Sequence, residues 1–99
     1  MNITIQYFDS CPNWRIAQGR VKSIVEEHGI DASIEYQPIE THEDAVKHHF
    51  AGSPTLLIDG VDPFASGETP VGLACRTYMT DEGLAESPTV AQLEEALGV

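Results

Sequence analysis

One change of apolar period dominates the first third of the chain, and a Cys-Pro pair marks it. Ile3, Ile5 and Tyr7 alternate, so residues 3–8 are expected to form a strand. Trp14, Ala17, Val21, Ile24, Val25 and His28 then recur every third or fourth residue. That spacing predicts a helix over 12–28, opened by Pro12, whose missing N–H costs nothing in a first turn, and stopped by Gly29. Residues 33–39 alternate again and predict a second strand. A strand, helix and strand of these lengths suit a parallel crossover, which restricts the chain to an α/β architecture.

The remaining segments extend this order. Thr41 and Asp44 predict a capped short helix over 42–50, with Ala45, Val46, His49 and Phe50 on its inner face. Thr55 to Asp59 form a compact apolar strand stopped by Gly60. Residues 61–73 carry Pro63, Gly67, Pro70 and Gly72 and predict a loop, long enough in so small a domain to point to function. Ala74 to Met79 read as a fourth strand, and Thr89 with Gln92 caps a last helix over 89–97. The order β-α-β-α-β-β-α predicts one domain over residues 1–99, a four-stranded mixed sheet flanked by helices, its last two strands antiparallel.

Charge narrows the function. Sixteen acidic side chains face five Lys and Arg, a formal net charge of -11. Residues 51–99 hold a single cation, Arg76. Nucleic acids and acidic lipid surfaces are excluded as partners, because both are bound through clustered Lys and Arg. No apolar run approaches the ~18 residues of a membrane span, and the alternating N-terminus does not read as a signal peptide. A cytoplasmic location is therefore expected, where thiols stay reduced, and Cys11 and Cys75 are reactive thiols, ligands or small core residues rather than a permanent staple.

Asp9-Ser10-Cys11-Pro12-Asn13-Trp14 after the first strand and Gly52-Ser53-Pro54-Thr55 before the third resemble the two anchors of the thioredoxin superfamily. More closely, the chain resembles small bacterial thioredoxin-like proteins with a Cys-Pro-x-Trp motif, sometimes labelled alkylmercury lyase-like. The resemblance implies a thioredoxin-like fold, a nucleophilic Cys11 at a helix start, and a cis-Pro54 that leaves the Ser53 backbone to meet a substrate. It implies no cofactor. Trp14 stands where the family's second cysteine would be, so a disulfide within that motif is excluded.

The candidate site follows from both lines of reasoning. Cys11 and Cys75 are the candidate catalytic thiols, and Pro12, Trp14, Ser53 and Pro54 the candidate substrate contacts. Trp14 would wall the cysteine pocket or pack into the core. In a simple hairpin Cys75 would start the fourth strand far from Cys11, about 15 Å or more at ~3.3 Å per residue. Only the 61–73 loop would alter that register. Arg76 reads as a surface ion pair or an anion contact, and His42, His48 and His49 as solvated or core side chains, because 48 and 49 do not share a helix face. The expected activity is monothiol or atypical two-cysteine thiol–disulfide exchange on a protein or glutathione disulfide, with no resident metal. The alternatives are a redox-inactive binding module and a soft-metal or organomercurial handler using Cys11, Cys75 and Asp9. Exposed strand edges would support a dimer.

Overall fold

The computed structural model describes residues 1–65 and 71–99. Three helices accompany a three-stranded sheet and a separate hairpin, in the order β1 (Asn2–Tyr7), α1 (Trp14–His28), β2 (Ser33–Pro38), α2 (His42–Lys47), β3 (Thr55–Ile58), β4 (Tyr78–Thr80), β5 (Gly83–Ala85) and α3 (Val90–Leu97). β1 lies in the centre of the sheet, parallel to β2 and antiparallel to β3. Its alternation explains the position: Ile3 and Ile5 are almost wholly buried among Val21 and Ile24 of α1, Leu56 of β3, and Leu93 and Leu97 of α3. A smaller cluster joins Phe8, Ile39, Ala45 and Phe50. No helix of the described residues is long and apolar enough to cross a membrane.

The helices are set by local signals. Thr41 Oγ1 accepts from Asp44 N at 3.1 Å and starts α2. Thr89 and Gln92 form a reciprocal capping box at α3. Gln92 Nε2 also donates to Met79 O, tying α3 to the hairpin. α1 begins at Trp14 rather than Pro12, because residues 12 and 13 form a tight turn in which Arg15 N donates to Pro12 O at 3.2 Å. α2 stops at Lys47, and His49 adopts φ 51°, so the helical phase is lost and Val46 and His49 face solvent.

The expected fourth strand is corrected. Residues 74–77 do not join the main sheet, and the strand of this region, 78–80, pairs with 83–85 instead. β3 does turn back, through Asp59 (φ 50°) and Gly60 (φ 84°), the positive-φ pair of a tight hairpin. The return makes one bridge, Ile58 to Val61. Pro63 then offers no N–H for a ladder, and the Asp62 carboxylate folds back onto Phe64 N at 2.9 Å. The chain leaves the sheet edge there, and the middle of the long loop, residues 66–70 with Gly67 and Pro70, lies outside the described residues.

Leu56 sits where β3, both long helices and β1 meet. Leu56→Ala is expected to lower the unfolding free energy by about 3 kcal/mol, read as a reduced urea midpoint with little change in slope.

Candidate functional site

Ser53 is the residue on which both cysteine segments converge. It is fully buried, and its peptide bond to Pro54 is cis. Its N–H donates to Ala74 O at 2.8 Å, and its C=O accepts from Arg76 N at 2.9 Å. Cys75 is thereby paired with Ser53 in a parallel bridge. From the other side, Cys11 Sγ lies 3.6 Å from the same Ser53 carbonyl, as a thiol donor. The backbone that sequence reasoning left for an external substrate is thus occupied by the chain's own residues 74–76.

Cys75 consequently sits beside Cys11, not some 15 Å away. Its thiol is raised from 9.0 to about 11, first by the side-chain hydrogen bond with Cys11, with lost hydration and the neighbouring Cys11 and Glu86 acting in the same direction. Both cysteines are free, Cys11 buried and Cys75 exposed. A thiol chain results, with Cys75 against Cys11 and Cys11 against the Ser53 carbonyl. Ser53 Oγ is buried without a hydrogen-bond partner among the described residues.

Arg76 fixes this register. Its side chain is only 4% exposed, and Nη1 meets Asp62 Oδ2 at 2.6 Å. Nη1 also reaches Thr55 Oγ1, Nη2 donates to Phe64 O at 2.8 Å, and the guanidinium lies 4.7 Å from the Tyr78 ring centroid. Arg76 is therefore neither the surface pair nor the anion contact expected of it. Tyr78 adds a second tether, its hydroxyl donating to Pro54 O, and burial pushes that phenol well above its ordinary range. Gly52 permits the close approach: at φ 108°, a Cβ there would lie 2.9 Å from Ala74 O and 3.0 Å from Arg76 Cβ.

Pro12 follows Cys11 directly, and Trp14 opens α1. Pro12 is exposed. The Trp14 ring packs on Tyr7 with centroids 4.4 Å apart, on Tyr36 at 6.3 Å, and under the Arg15 guanidinium. Among the described residues, no group of three or more His, Cys, Asp and Glu is placed to hold a metal ion. His48 and His49 line a cleft of about 410 Å³ with Gln6, Thr55 and Asp62. Glu86 and Asp62 were not singled out in the sequence, and Gly52 was named there only as part of the second motif. The one signal available was the pairing of an acidic half with a solitary arginine adjacent to Cys75. No protein-family description, curated protein or solved structure matches the chain.

Gly52→Ala is expected to push residues 74–76 off Ser53 and lower the unfolding free energy by about 1–3 kcal/mol, measured in urea. Titration gives a second expectation. The folded-state value of Cys75 is raised, so its proton is held more tightly than in the unfolded chain. The stability this supplies is complete below about pH 9 and lost as pH climbs through about 11. Iodoacetamide alkylation of Cys75 should keep accelerating past pH 9, and Cys11→Ala should bring the plateau back toward 9.

Proposed function

We propose that the protein is a thioredoxin-like thiol–disulfide exchange protein whose reactive pair is Cys11 and Cys75. The observation that carries this is the meeting of both cysteines on Ser53. The strand order β2-β1-β3, a cysteine directly after β1 and a cis-Pro54 at the head of β3 support the fold assignment. The departure is the missing fourth sheet strand, whose residues dock Cys75 instead.

Accessibility divides the labour. Cys75 is exposed and meets an external disulfide first; Cys11 is 0% exposed and lies behind it. The Cys75 thiolate attacks the substrate disulfide, forms a mixed disulfide and expels one thiolate. Cys11 then attacks the Cys75 sulfur, closes the internal disulfide and expels the second thiolate, and the protein's thiol protons pass to the released thiols. In the reverse direction an external thiol attacks Cys75, and Cys11 leaves. With a Cys75 proton held up to about 11, exchange is slow near neutrality and accelerates with pH.

Bis(2-hydroxyethyl) disulfide tests the assignment. The wild type is expected to pass to an internal disulfide, Cys11→Ser to hold a stable adduct on Cys75, and folded Cys75→Ser to leave Cys11 unmodified, all read by intact mass and peptide mapping. Wild-type protein carrying separate adducts on both cysteines and no internal bridge would refute the pairing.

A further inference from the structure

A cleft of about 380 Å³ is lined by residues from both cysteine-bearing segments. Phe8, Asp9 and Ser10 form one wall, Pro38 and Glu40 a second, and Leu73 a third. Ser10 directly precedes Cys11, and Leu73 is two residues from Cys75, so the cleft adjoins both cysteine segments. Phe8, Pro38, Ile39 and Leu73 supply its apolar surface, and its charged side chains, Asp9 and Glu40, are exposed carboxylates. Glu86 adds negative charge at Cys75 itself.

Three of the five Lys and Arg are engaged outside the cleft lining. Arg76 is locked against Asp62, Arg20 donates to Pro88 O, and Arg15 lies over Trp14. The field of a chain with net charge -11 therefore acts on the site without a local counter-charge in the cleft lining.

From this cleft and the two cysteine segments that contribute to its walls, we propose that the protein selects disulfides bearing a cationic group a few bonds from the sulfur. The inference rests on the two-thiol reading above. The methylene stem of such a group would lie against Phe8, Pro38 and Leu73, with its ammonium at Asp9 and Glu40. Anionic disulfides, glutathione disulfide included, are repelled.

The exchange conserves atoms and electrons. The two protein thiolates give up two electrons as the Cys11–Cys75 bond forms, and the cationic disulfide takes them up as its own S–S bond breaks, leaving as two thiols that carry the protons of Cys11 and Cys75. Two external thiols then reduce the closed form, the first joining Cys75 and the second releasing it as their own disulfide, which completes a cycle.

Three small disulfides of matched size test the inference on the full chain: cystamine (cationic), bis(2-hydroxyethyl) disulfide (neutral) and 3,3′-dithiodipropionate (anionic). Each rate of internal disulfide formation is divided by the rate with dithiothreitol, which removes intrinsic reactivity. The cation-to-anion ratio is expected to be about 10-fold or more at low salt and to fall within about 3-fold near 1 M salt. The double variant Asp9→Asn/Glu40→Gln should bring the ratio toward unity. Glu26→Gln/Glu27→Gln, an equal charge change on the exposed side of α1, should preserve it. A wild-type ratio within about 2-fold at low salt, or one favouring the anion, overturns the selectivity while leaving the thiol pair standing. Failure of the neutral disulfide to give any internal bridge overturns the thiol pair, and the selectivity with it.

Discussion

The docking of residues 74–76 onto Ser53 depends on burying one guanidinium. An arginine taken out of water is costly unless its donors are met, and Arg76 finds a carboxylate in Asp62, a hydroxyl in Thr55 and a carbonyl in Phe64. Those three acceptors come from the head of β3 and from the turn that follows it. Satisfying them draws the chain after the loop back to the place where β3 begins. Cys75, one residue earlier, arrives opposite Ser53 as a consequence, and Cys11 is already there.

This arrangement explains why two thiols on distant segments behave as a pair. The Ser53 carbonyl accepts from both Arg76 N and the Cys11 thiol, so the residue that orients one cysteine positions the other. The pair is also asymmetric. Cys11 is sealed in, and Cys75 is open to solvent. Burial shields one sulfur from oxidants, while the outer one would be the point of entry in the proposed exchange.

Much of the framework was legible because its signals are local. The alternation of Ile3 and Ile5, the helical repeat of Ala17, Val21 and Ile24, and the caps at Thr41 and Thr89 each depend on neighbours within a few residues. The second half was less legible because its geometry is set across the chain. An alternating stretch such as 74–79 reads as a sheet strand, but Pro63 and the Asp62–Arg76 pair had already removed the return path along β3. The nearness of Cys75 to Cys11 was hidden for the same reason: rise per residue along an assumed hairpin says nothing about a chain that leaves the sheet and returns parallel to Ser53. Cys11, Ser53 and Pro54 were found through their motifs, whereas Glu86 and Asp62, and the close approach that Gly52 permits, act through contacts that no sequence spacing displays.

The central claim is that the native fold holds Cys75 against Cys11, and diamide oxidation of the reduced protein reads it most directly. The account predicts one product, lighter by about 2 Da, with a single peptide linking Cys11 to Cys75, formed at a rate independent of protein concentration. Oxidation that yields only disulfide-linked oligomers, or a Cys75 adduct beside an unmodified Cys11, would contradict it.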